Sequence, residues 1–136
     1  MSDKDYNIII PIHSKHAKNI YTGAKKYEYR KVAPSKSINN LILYETKPVC
    51  AITGIVKVDS IWEGSPYQIW KISHDYAGIS HESYTTYYKN KNIAIAYQLG
   101  NAIKLKKSVS LSEIGVNHVP QSFQYVDNSI LTKFII

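Results

Sequence analysis

Between Ser14 and Arg30 the spacing of apolar side chains changes from helical to extended across one glycine, and this change limits what can surround it. Ala17, Ile20 and Tyr21 recur at i, i+3 and i+4, so they share one face of a short helix with Ser14 at its cap position. Gly23 stands where such a helix ends in the left-handed conformation, which a residue without Cβ adopts at little steric cost. From Lys26 the period becomes two. Tyr27 and Tyr29 point one way and Lys26, Glu28 and Arg30 the other, as in a half-buried strand.

The stretch from Lys15 to Lys36 holds the charge. Lys15, Lys18, Lys25, Lys26, Arg30, Lys31 and Lys36 face a single acid, Glu28, which gives net +6 of the formal +7. A basic pI alone fits many soluble domains, but this concentration in one helix, turn and strand favours a phosphate-binding surface over a solvated face. Membrane phosphate is the weaker candidate, because an interfacial helix needs more apolar surface than Ala17, Ile20 and Tyr21 provide.

The remaining chain reads mostly as strands. Asn7 to Ile10 is a short one that Pro11 stops or places at an edge, and Asn39-Asn40 turn the chain into Leu41 to Tyr44. Val49 to Trp62 is a long strand that Gly54 bends, and Cys50 within it reads as a buried structural thiol. Ser65-Pro66 starts a helix carrying Tyr67, Trp70 and His74 and ending near Gly78; Ser80 caps another, with Tyr84, Tyr87 and Tyr88 on one side. Ile93 to Leu99 and Ala102 to Lys107 form a hairpin around Gly100-Asn101, and Leu111 to Ile114 form a helical turn ended by Gly115. The apolar end, Ile130 to Ile136, must add a strand, pack on the sheet or meet a second subunit, since bare it would aggregate. A length of 136 residues with 44% hydrophobic content suits one domain with one core. No apolar run approaches the roughly 18 to 20 residues that span a bilayer, and Met-Ser-Asp-Lys-Asp lacks the order of a signal peptide, so a cytoplasmic protein is expected.

Gly23, Lys25, Glu28 and Arg30 spell G-x-K-x-x-E-x-R across the helix-to-strand turn, which resembles the signature of the ASCH domains, relatives of the PUA RNA-binding fold. The similarity continues through Leu41 to Tyr44, Val49 to Val58, and Pro120, Gln121, Ser122, Phe123 and Tyr125, and it covers about Ile8 to Val126. The resemblance implies an α+β fold: a PUA-like β-barrel of about five to six mixed strands with flanking helices, over residues 7–126; the strand-like tail at 127–136 is read from its apolar, β-branched residues and lies outside it. It also implies a cleft beside the motif helix, a role in binding RNA or a modified nucleotide, and nucleic-acid-related enzyme activities in a few branches.

The candidate nucleic-acid site comprises Lys18, Lys25, Lys26, Glu28 and Arg30, with Gln121 and Ser122 added by the resemblance. In this reading Lys25 and Arg30 meet a phosphate or a base edge, while Glu28 orients Arg30 or accepts from an exocyclic amine. The alternative is an ion pair between Glu28 and Arg30, but an exposed pair contributes only ~0 to 1 kcal/mol and explains the charges poorly. Tyr27, Tyr29, Trp62, Trp70, Tyr84, Tyr87 and Tyr88 are possible stacking partners for bases, with core packing favoured for any one ring. His13 and His16 fall short of the three ligands a zinc site needs, so no metal and no cofactor are expected. RNA or a nucleotide is the expected partner, with no membrane, and the chain is expected as a monomer or weak homodimer. The runner-up is a hydrolase in the same cleft with Lys25 and Glu28 as its catalytic residues, either a metal-independent ribonuclease or an amidohydrolase acting on acetylated cytidine. For the latter, the resemblance asks for Thr where Glu28 stands and a Glu near Ala77.

Overall fold

Ile8, Ile9, Ile10 and Ile12 give the first strand, β1 (Tyr6–Ile12), β-branched side chains on both faces, which suits a strand buried from two sides. In the computed structural model, which describes residues 6–134, α1 (Ser14–Thr22) and β2 (Tyr27–Arg30) follow, then β3 (Ile38–Glu45) and the long β4 (Ala51–Gly64). After α2 (Pro66–Ser73) and α3 (His81–Tyr87) come β5 (Ala94–Val109) and β6 (Gln124–Asp127). The strands form one mixed sheet in the order β2-β5-β4-β3-β1-β6, in which β1 runs parallel to β3 and every other pairing is antiparallel.

The two ends of this order meet. Arg30 on β2 donates from Nη2 to the carbonyl of Pro11 on β1 at 3.0 Å, and the amide of Ser35 donates to the Tyr125 hydroxyl on β6 at 2.8 Å. The sheet is therefore rolled. β6 pairs with β1 only from Tyr6 to Ile9, so Pro11 lies past that pairing, where its missing N–H is not needed by β6 and its carbonyl is left for Arg30. Inside the roll pack Ile8, Ile10, Leu41, Leu43, Val56, Val58, Ile95 and Tyr97, closed by Ala17 and Ile20 of α1. The opposite faces of the same strands bury Ile9, Ile42, Ile52 and Leu105, while α2 and α3 cover Tyr29, Ala94 and Ala96 with Ile69, Tyr84 and Tyr88.

The fold corrects several expectations from the sequence. Gly100-Asn101 does not turn a hairpin: β5 is one strand of 16 residues, and both of its halves pair with β4. The register slips between Val56 and Ser60 instead, so the dipeptide forms an irregularity opposite Asp59, whose Oδ1 would lie 2.6 Å from a Cβ at Gly100. Asn39-Asn40 is not a turn but part of β3, because the amide of Asn40 is satisfied across the sheet by donating to Asn7 Oδ1 at 3.0 Å. Cys50 is exposed, with φ 52, and precedes β4 rather than lying buried in it. His13, not Ser14, occupies the cap position of α1. The inward residues of α2 are Ile69 and Ser73, whereas Tyr67 is 76% exposed.

The tail is not a strand. Residues Asn128–Lys133 form a 3-10 helix, and Ile130 and Phe134 bury against the outer face of the sheet, one of the three outcomes its sequence required. Met1 to Asp5, on which the leader reading rests, and Ile135-Ile136 lie outside the described residues. The bend at Gly54 is present, as a register slip on both sides of β4; a Cβ there would overlap the Tyr21 hydroxyl and sit 2.7 Å from the Ile103 carbonyl. Gly23 closes α1 with φ 85, and Ser65 and Gln68 form a reciprocal capping box on α2. No helix among the described residues is long and apolar enough to cross a membrane.

Candidate functional site

The left-handed turn at Gly23 swings the chain off α1 so that Lys25 points inward before β2 begins, and its backbone amide donates to Asn19 O at 2.9 Å. Lys25 is 3% exposed. Its ammonium donates to the Ala77 carbonyl at 2.7 Å, lies 3.7 Å from Glu28 Oε1 and stands 5.1 Å from the centre of the Tyr29 ring. Its stem rests on Gly78, where an added Cβ would come within 2.6 Å of it and where φ is +71. Burial lowers the pKa of Lys25, and the adjacent Glu28 opposes that shift.

Glu28 sits between two cations. Arg30 donates to Glu28 Oε2 from Nε at 2.9 Å, with Nη2 2.7 Å from the same oxygen, and the carboxylate is itself buried. A charge withdrawn from water needs such partners, because unpaired its desolvation would cost several kcal/mol. Arg30 is thus both the brace of Glu28 and the clip that joins β2 to β1. Its side chain keeps 19% of its surface exposed, into the cleft.

That cleft has a volume of about 520 Å³ and is walled by α1, the Pro11–His13 segment, β2 and α3. His16 lines it from the first turn of α1, and its Nδ1 is buried without a hydrogen-bond partner. Burial lowers the pKa of His16, and the cation of Lys25 lowers it further, against the pull of Glu28. Tyr87 and Ser83 of α3 and Thr46 complete much of the wall. Lys31 holds its ammonium 4.4 Å above the Tyr87 ring.

Of the residues the sequence singles out, Lys25, Glu28, Arg30 and Gln121 line this one cleft. Lys18, Lys26 and Ser122 are exposed and stand outside its lining, Lys26 with its ammonium over the Tyr76 ring at 4.5 Å. Of the aromatic candidates Tyr29 and Tyr87 line the cleft, and Tyr29, Tyr84 and Tyr88 have their hydroxyls tied into the fold. Tyr29 bonds Ser73 at 2.7 Å, Tyr84 donates to Pro66 O, and Tyr88 donates to Arg30 O and Ile95 O. Burial raises the pKa of Tyr29 to about 12 and pushes that of Tyr88 higher still, so both stay protonated.

His16, which the sequence brings up only as an insufficient metal ligand, and the Tyr76–Gly78 turn, which it passes over, complete the site. His16 stands four residues before the buried Ile20, so helical spacing alone places it against the sheet. The turn carries no local signal for its role as the acceptor and floor for Lys25. Among the described residues no three His, Cys, Asp or Glu side chains gather to hold a metal ion.

A rolled mixed sheet with a helix-turn-strand clasp of buried charge is a PUA-like α+β arrangement. Residues 10–107 match the ASCH domain model, and the chain belongs to the ASCH domain family. It is similar to an ASCH domain-containing ribonuclease of Zymomonas mobilis, at 26% identity over 131 residues that cover 93% of this chain and 88% of that one. The crystal structure of ASCH from Zymomonas mobilis shares the fold with a TM-score of 0.85 at 24% identity, covering 97% of this chain and 94% of that one. The large ribosomal subunit protein uL22 of Ureaplasma parvum is 27% identical over 120 residues, and there the match spans 88% of this chain but 39% of the ribosomal protein.

Proposed function

We propose that this chain acts on RNA as a ribonuclease, using the motif cleft to bind a strand and to cleave it by attack of a 2′-oxygen on the adjacent phosphorus. The observation that carries the reading is the position of His16, which lines the same cleft as Lys25 and Arg30 and is biased toward its neutral form by burial. A site that only bound phosphate would gain from a protonated histidine, whereas a general base must be unprotonated to work. The Zymomonas relative that covers most of this chain is named as a ribonuclease, which supports the same class.

In the proposed step His16 takes the proton of the 2′-hydroxyl as the 2′-oxygen bonds to phosphorus. The bond from phosphorus to the 5′-oxygen breaks, leaving a 2′,3′-cyclic phosphate, and the departing oxygen takes a proton from the Lys25 ammonium, which burial makes more acidic. Lys25 then regains a proton from water, and His16 gives its own to the hydroxide so formed, which restores both groups. The exposed edge of Arg30 offsets the charge that gathers on the non-bridging oxygens, and Glu28 keeps both cations in place. The acetylcytidine reading is disfavoured, since Ala77 offers Lys25 a carbonyl and no carboxylate.

The test uses single-stranded oligoribonucleotides in excess chelator, with product ends analysed for cyclic phosphate. Cleavage is expected, with a single 2′-deoxy substitution blocking it at that position. His16→Ala is expected to slow it about 10²- to 10⁴-fold while the circular dichroism spectrum is kept. Salt-sensitive binding with no turnover above a heat-treated control would return the cleft to a reader of RNA.

A further inference from the structure

Beside the cleft opens a second hollow of about 580 Å³, and the two share His16, Ile79 and Ser83 as a common wall. Its own lining comes from Lys15, His74, Asp75, Gly78 and Ser80. Gly78 lines the second hollow, and its backbone, free of a Cβ, lies on the stem of Lys25, which lines the first. The charges differ in kind between the hollows. In the first they are buried and tied to one another; in the second Lys15 is exposed, and Asp75 keeps 82% of its side chain in solvent while His74 Nδ1 lies 3.3 Å away. Each volume falls in the roughly 300 to 1,000 Å³ range of ligand sites, so a lone nucleotide seated at Lys25 and Arg30 would leave the second hollow empty.

We infer that the groove is built for an oligonucleotide, with the nucleotide next to the scissile phosphate lying in the second hollow. This rests on the ribonuclease reading and adds the length of its substrate. The Lys15 ammonium meets the adjoining phosphate. Asp75 repels phosphate and accepts hydrogen bonds only, so an exocyclic amine of the base faces it. Ser83 and Ile79, shared by both hollows, flank the point where the strand crosses from one to the other.

The probes are fully 2′-O-methylated single strands of two and of six nucleotides, which cannot undergo the cleavage step, with affinity measured at several salt concentrations. The hexamer is expected to bind at least roughly tenfold tighter than the dimer, which has no phosphate beyond the scissile one to meet Lys15. Lys15→Ala is expected to erase most of that ratio and to reduce the salt slope by about 0.7, while Lys107→Ala, outside both linings, leaves the ratio intact. Equal affinity of the wild type for both lengths would overturn the second-hollow assignment and leave the cleft standing. So would equal effects of the two lysine substitutions. If neither length binds at low salt, the cleft reading fails and this one fails with it.

Discussion

Lys25 and Lys26 stand next to each other in the chain, yet Lys25 is buried against Glu28, Ala77 and Gly78 while Lys26 lies in solvent over the Tyr76 ring. The same split runs through the whole basic stretch. Lys15, Lys18, Lys31 and Lys36 are exposed with Lys26, whereas Lys25 and Arg30 share one carboxylate. Charges of the first kind are screened and act at long range; those of the second are desolvated, fixed in direction and able to tune one another. Net charge thus measures attraction for an anion, while a different and smaller set of residues is placed to act on it once bound.

Glu28→Gln is the sharpest way to break this comparison and carries the largest expected effect. It keeps the shape of the side chain but leaves Lys25 buried beside a neutral group and frees Arg30 from its brace. Removing one partner of a buried ion pair costs about 3 to 5 kcal/mol, and the lower end is expected because Arg30 remains 19% exposed. Chemical denaturation measures it. A loss under about 1 kcal/mol would place the trio among ordinary surface pairs and abolish the distinction between the two sets.

An intermediate effect concerns His16 and pH. Its folded pKa lies below 6.5, so the unfolded chain binds its proton first as pH falls. The stabilising contribution of the neutral imidazole is therefore present above 6.5 and is lost as pH falls through the folded value. Comparing wild type with His16→Ala by thermal melting across this window should show the wild type losing more stability toward acid. The acid limb of RNA cleavage should likewise have its midpoint below 6.5. A midpoint above it would mean that His16 gains its proton more readily in the fold, and would remove it as the base.

How much of the molecule is legible in its sequence depends on the range of the interactions involved. The change of period across Gly23, the cap at Ser65 and the bend at Gly54 are local, and each stands where the residues place it. The glycine at Gly100 is ambiguous, because a residue free of Cβ serves a hairpin turn and a strand irregularity equally, and only the unbroken partner strand β4 decides between them. For the site, period two correctly puts Glu28 and Arg30 on one face. It cannot show that Lys25 is buried, since the acceptor at Ala77 is 52 residues away and the floor at Gly78 belongs to a turn with no motif. Cys50 shows the same limit from the other side: an apolar neighbourhood in sequence becomes an exposed turn in the fold.

The smallest expected effect tests the other half of the comparison. Lys36 is exposed, 4.6 Å from the Tyr6 ring and 5.8 Å from that of Tyr125 rather than beside the buried trio. Lys36→Ala should change stability by no more than about 0.5 to 1 kcal/mol, the scale of an exposed cation over a ring. If Lys36 acts only through long-range attraction, its loss should weaken RNA association modestly at low salt, and the difference from wild type should vanish as the Debye length shrinks toward about 3 Å near 1 M salt. Cleavage of bound RNA should be unchanged, since nothing in the trio touches Lys36. A deficit that persists at high salt, or a slowed single-turnover rate, would mean that an exposed lysine makes a fixed contact with the strand, and the division between attracting and acting charges would have to be redrawn through the Lys36 loop.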